Sequence, residues 1–208
     1  MNYDIWGSWS PSVGPNAPLD DSCAPSQQGS AKSAVKAWTD AGFPIDKIIL
    51  GVAAYGHSFH VNQTSALGAS GNLNLYPPFD KAQQPAGDKW DSTATGVDVC
   101  GNPNVVGGLF NFWGLVEGGF LTENGIAASG IDYKFDNCSQ TVRVLHAQCP
   151  YLSDHRPTQP YVYNPTSQVM VSYDDATSFG ATHAPRFYGC LLILILSMRC
   201  SCKRRVHI

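Results

Sequence analysis

The chain has 208 residues, a hydrophobic share of 43% with nine Tyr, nine Phe and five Trp, and a formal net charge of −3. That much apolar and aromatic content excludes general disorder, and the mild acidity excludes nucleic acid and acidic membrane surfaces as electrostatic partners. Seven Cys is an odd count for a secreted protein, so at least one thiol is left unpaired or the C-terminal cysteines are foreign to the fold.

Met1-Asn2-Tyr3-Asp4 alternates as a strand does, sending Met1 and Tyr3 to one face and Asn2 and Asp4 to the other. No basic and apolar leader precedes it, so a secreted parent is expected to begin farther upstream. The span from Trp6 to Cys23, rich in Pro, Gly and short polar residues, reads as a loop. Its Trp6 and Trp9 suit either a stacking platform for the C–H face of a sugar or a cover over the rim of the fold. Ser30 reads as an N-cap, and Ala34, Val35, Trp38 and Ala41 recur at helical spacing until Gly42 and Pro44 stop the run. Residues 47–56 then form a strand apolar on both faces, the pattern of a buried parallel strand. Strand, helix and strand in this order make a βαβ unit, whose functional groups collect at the C-terminal strand ends, where Tyr3, Asp4 and Tyr55 lie.

From His57 to about Thr141 the chain becomes richer in Gly, Asn and Ser. Leu73–Phe79, Val105–Trp113 and Ile131–Phe135 are expected as short strands of a separate α+β segment, with Leu115–Leu121 helical. Cys100 and Cys138 are available to close it with a disulfide or to remain free thiols. His57 and His60 have no acidic or Cys partners at ligand spacing, so no metal is expected. Asn62-Gln63-Thr64 and Asn137-Cys138-Ser139 are glycosylation sequons. Residues 169–175 are strand-like and end in acids. The apolar run from Cys190 to Met198 is too short to span a bilayer, which takes about 20 residues.

Several of these stretches together resemble the fungal-type chitinases of glycoside hydrolase family 18. They are Met1-Asn2-Tyr3-Asp4 with Gly7-x-Trp9, Gly14-Pro15-Asn16-Ala17-Pro18-Leu19, Leu50-Gly51-Val52-Ala53-Ala54-Tyr55-Gly56-His57-Ser58-Phe59, Asp136-x-Cys138-Ser139-Gln140-Thr141 and Val171-Ser172-Tyr173-Asp174-Asp175. The resemblance covers most of residues 1–141 and 160–179. It implies an α/β fold, a partial TIM (β/α)8 barrel in which residues 1–4 form strand six, residues 47–54 form strand seven, and residues 169–181 approach strand eight. Residues 1–58 would be the barrel part and 59–168 the α+β chitinase insertion domain.

The family's chemistry is substrate-assisted hydrolysis of β-1,4-linked N-acetylglucosamine polymers, in which the sugar's own acetamido oxygen attacks the anomeric carbon. Transferred to this chain, Tyr3 holds the acetamido oxygen, Asp4 hydrogen-bonds the same sugar, Trp9 stacks on the leaving-group side and Tyr55 lines the cleft. The expected partner is chitin or a chitooligosaccharide, bound by an extracellular monomer without cofactor. The family's general acid sits in an Asp-x-Asp-x-Glu run, whereas the only glutamates here, Glu117 and Glu123, each follow Leu by two positions. The chain alone is therefore expected not to cleave chitin, and a non-catalytic chitin-binding remnant or a gene-model fragment are the alternatives. Val142–Gln159 interrupts the family pattern as a retained in-frame intron or a surface loop would, and residues 182–208 are unrelated to it.

Overall fold

The computed structural model describes residues 1–92, 94–136, 139 and 159–175. Helix α1 (Ala31–Asp40) starts where the sequence places it. The Ser30 hydroxyl accepts from the Ser33 amide, and the Ser33 hydroxyl accepts from the Ser30 amide, a reciprocal cap. The helix stops at Ala41–Gly42, where Gly42 takes a φ of 85°. Ala31 is its one buried residue, and Trp38 is exposed with its ring edge-on to Phe43 at 5.5 Å. A short 3-10 turn (Ile45–Lys47) follows.

Met1–Asp4 and residues 48–54 lie side by side, joined by a bond from the Asn2 amide to the Gly51 carbonyl at 3.2 Å. Neither forms a regular ladder, contrary to the strand expectation for both. Regular pairing begins where the apolar run ends, at β1 (Tyr55–His60). Helix α2 (Gln63–Leu67), β2 (Leu109–Asn111), α3 (Phe112–Glu117), β3 (Asp132–Asp136), β4 (Gln159–Asn164) and β5 (Val169–Ser172) follow. The five strands form an antiparallel sheet in the order β2-β1-β5-β4-β3.

Register decides what each face carries, because side chains alternate with period 2. His57 pairs with Ser172 and Ser172 with Tyr161, while Phe59 pairs with Met170 and Met170 with Tyr163. These residues share one face. There Phe59, Tyr161, Tyr163 and Met170 pack with Val13, Val61, Ala66 and Leu73. On the opposite face Val162, Val171 and Tyr173 pack with Phe110, Leu115, Phe120 and Leu121. A sheet covered on both sides needs apolar residues at both parities, which β4 and β5 supply. Gly56 lies so close to the Ser172 carbonyl that any side chain there would collide with backbone, so the β1–β5 contact requires glycine at this point.

Two expectations fall within the described residues, β2 within Val105–Trp113 and β3 overlapping Ile131–Phe135. Helix α3 begins three residues before the expected Leu115–Leu121 span. Leu73–Phe79 is irregular instead of a strand. Pro77 and Pro78 have no amide to donate, the Asn74 side chain accepts the Tyr76 amide at 3.4 Å, and the Pro77 carbonyl accepts from Val13 at 2.9 Å. Of the two readings of Cys100, a disulfide to Cys138 or a free thiol, the structure has the free thiol. Cys100 is exposed in a loop wound around the Asp98 carboxylate, which accepts the Cys100 and Asn102 amides at 2.8 and 2.9 Å, and among the described residues Cys23 is disulfide-bonded. Cys138, residues 142–158 and the 182–208 tail lie outside the described residues. Among the described residues no helix is long and apolar enough to cross a membrane.

Asp20 anchors the loop before α1 to the helix itself. Its carboxyl is pulled from 3.8 to about 2, first by the Lys32 ammonium at 2.6 Å and then by the Ser22 amide. Because the folded value lies below the unfolded one, this contribution is complete above the ordinary carboxylate range and is lost as pH falls toward 2. Solvent screening at this partly exposed pair keeps it under about 1 kcal/mol. Lys32→Met is expected to lower the urea midpoint slightly at pH 7, with the gap closing below pH 4. Phe59→Ala, at a position with no solvent exposure, is expected to cost about 3–5 kcal/mol in the same titration. A loss under about 1 kcal/mol would mean that the first face is not a packed core.

Candidate functional site

The site is built by two asparagines that fix the first four residues. The Asn2 side chain, buried, donates to the Pro18 carbonyl at 3.1 Å and so ties the chain start to the loop below it. Asn16, fully buried, accepts the Asp4 amide through Oδ1 at 3.0 Å and donates Nδ2 to the Tyr55 carbonyl at 2.9 Å. One carboxamide thereby joins the end of the opening stretch to the start of β1. Asp4 takes a left-handed backbone, φ 58°, which Asp tolerates better than most residues.

That backbone delivers the Asp4 carboxylate to two donors. Asp4 Oδ1 accepts from the Tyr55 hydroxyl at 2.7 Å and lies 2.9 Å from His57 Nε2. Tyr55 and His57 are two apart on β1 and so project from the same face, with their rings 6.0 Å apart. Burial pushes the Tyr55 phenol well above its ordinary range, and the Asp4 charge pushes it further. Tyr55 is thus held as a neutral donor. His57 is 7% exposed, so the carboxylate serves as its polar partner in a desolvated place.

Aromatic rings enclose this group. Trp9 stands edge-on to His57 at 5.2 Å and Tyr3 edge-on to Tyr55 at 6.1 Å. Trp9 is 58% exposed, so its ring is available to a ligand. Gly7 lies directly beneath it, where any side chain would strike the indole. The four residues expected from sequence, Tyr3, Asp4, Trp9 and Tyr55, therefore come together around His57. Trp6 does not join them. It is buried against Tyr76 at 5.7 Å and lies over Gly14, so the platform reading is corrected for Trp6 and stays open for Trp9 alone.

Asn16 and His57 went unassigned in the sequence reading. His57 is recoverable from strand period, since a β1 that continues past Tyr55 must put residue 57 on the Tyr55 face. Asn16 carries no such signal, because its partners lie 12 and 39 positions away.

The arrangement offers phenol and imidazole donors, one carboxylate and an open indole face, the equipment for holding hydroxyl and amide groups on a ring with apolar C–H faces. Among the described residues neither glutamate belongs to it. Glu117 on α3 is paired with Lys89 at 2.6 Å, and Glu123 is exposed in a turn. Among the described residues no cluster of His, Cys, Asp and Glu is arranged to hold a metal ion.

Residues 1–183 match the family model of glycosyl hydrolases family 18. The chain is 51% identical over 182 residues to a chitinase-like effector of Moniliophthora roreri, covering 86% of this chain and 40% of that protein. It is 51% identical over 180 residues to a chitinase-like effector of Moniliophthora perniciosa, covering 85% of this chain and 36% of that one. The fold superposes on the crystal structure of a chitinase from Rhizomucor miehei with a TM-score of 0.64 and 29% identity, over 86% of this chain and 42% of that chain. The chain thus spans about two-fifths of the length of these relatives. With the family match extending through the loop, the site and the sheet alike, the chain belongs to glycoside hydrolase family 18.

Proposed function

We propose that the Asp4 site binds an N-acetylglucosamine unit of chitin or a chitooligosaccharide, as the C-terminal part of a secreted chitinase-family protein. The observation that carries this reading is the single carboxylate of Asp4, shared by Tyr55 and His57 beneath the exposed face of Trp9. Asp4 Oδ1 is committed to protein donors, which leaves Oδ2 for a sugar donor such as the acetamido N–H. Tyr3 offers its hydroxyl to the acetamido oxygen, and Trp9 stacks on the neighbouring ring. In substrate-assisted hydrolysis the acetamido group gains positive charge as its oxygen attacks the anomeric carbon. A carboxylate fixed beside it by two donors is oriented for that charge before the reaction starts.

In this reading Met1–Asp4 and residues 47–54 take the places of the sixth and seventh barrel strands. Residues 59–168 are the insertion domain that walls the cleft, and residues 169–175 begin the approach to the eighth strand, whose remainder, 176–181, lies outside the described residues. The sequence as given contains no Asp-x-Asp-x-Glu acid. The residues present bind and orient the sugar and do not protonate the leaving oxygen.

Binding to chitin beads tests the reading. The wild-type chain is expected to be retained, and Trp9→Ala to weaken retention about tenfold through loss of the stacking face. Equal retention of both would remove Trp9 from the site. A chromogenic chitooligosaccharide is expected to show no turnover with the pure chain, since a general acid contributes on the order of 10²–10⁴-fold. Clear turnover would mean that another group in this chain supplies the proton.

A further inference from the structure

We propose that Asn62 is an N-glycosylation acceptor, taking an oligosaccharide from a lipid-linked pyrophosphate donor. The inference rests on the secreted reading above for its route. Asn62-Gln63-Thr64 satisfies the acceptor pattern, whereas Asn164-Pro165-Thr166 is excluded by its central proline.

The structure adds the orientation of the carboxamide. Asn62 is exposed and is the N-cap of α2. Its Oδ1 accepts from the Ser65 amide at 2.9 Å and from the Thr64 hydroxyl at 2.8 Å. The oxygen is thus held toward the protein by the sequon's own hydroxyl and by the helix start. Among the described residues Nδ2 makes no hydrogen bond, and it is the atom that takes the sugar. A glycan on Nδ2 leaves Oδ1 as an acceptor, so modification preserves the cap.

Two further features agree. The disulfide at Cys23 marks a chain that matures in an oxidising compartment, the environment in which the transfer takes place. Asn62 also follows the end of β1 opposite Tyr55, so a glycan there is attached at the far end of the strand from the Asp4 site. In the transfer the Nδ2–C1 bond forms and the bond from C1 to the pyrophosphate oxygen breaks. The lipid pyrophosphate departs as the anion, the amide proton passes to a base, and nothing is oxidised or reduced.

The test is translation of the full chain behind a secretory leader in the presence of endoplasmic-reticulum microsomes. An Asn137→Gln background leaves Asn62 as the one acceptor sequon. One mobility shift, abolished by an amide-cleaving peptide N-glycosidase, is expected, with peptide mass spectrometry locating it at Asn62. Asn62→Gln and Thr64→Ala are expected to abolish the shift and Thr64→Ser to retain it. An unmodified Asn137→Gln chain, or a shift that survives Asn62→Gln, overturns the proposal. The readout is covalent mass and the microsomes supply translocation, so failure here is distinct from failure to bind chitin.

Discussion

The carboxamide of Asn16 is the joint on which the site depends. It is fully buried and takes the amide of Asp4 on one side while giving a hydrogen to the carbonyl of Tyr55 on the other. An amide side chain suits this position because it carries a donor and an acceptor in one rigid plane. Asp would present two acceptors, and Leu would leave two buried backbone groups unpaired, at about 1–3 kcal/mol each. With Asn16 in place, the distance between the end of the opening stretch and the first residue of β1 is set by covalent geometry.

From that joint the electrostatics follow. Asp4 is half-exposed, yet its carboxylate faces two groups that differ in what they require of it. Tyr55 is kept neutral by burial, so it donates whatever the surroundings. His57, almost buried, has Asp4 as its polar contact on the Nε2 side and the Trp9 edge against its ring. The carboxylate orients both rings, and the rings in turn restrict the carboxylate. Organisation of this kind comes before any ligand, because each group already has a partner within the protein.

Much of this was legible in the chain and some was not, for physical reasons. Helix α1 was readable because its signals are local, a Ser cap at Ser30 and a stop at Gly42. Strands β2 and β3 were readable because short aromatic runs bounded by turn residues have few other uses. The site residues Tyr3, Asp4, Trp9 and Tyr55 came from a family pattern, and the geometry gathers them. What escaped was non-local. An apolar run says that residues 47–54 are to be covered, but not that regular pairing waits until Tyr55. Leu73–Phe79 has the composition of a strand, yet two prolines divert its hydrogen bonding. The pairing of Cys100 with Cys138 rested on position in the chain, and cysteine partners cannot be deduced from position alone.

The strand order β2-β1-β5-β4-β3 has a kinetic consequence. Among the described strands, the last in the chain inserts between the first and the fourth, so the centre of the sheet is the part that closes latest. His57 meets Ser172 across most of the described chain, a loop closure whose entropy is lost before any contact repays it. Until β5 arrives, β1 has an unpaired edge and the wall carrying Tyr55 and His57 lacks its neighbour. The pairing that completes this wall therefore closes the longest loop in the sheet, and until it forms the edge of β1 is open to edge-to-edge association.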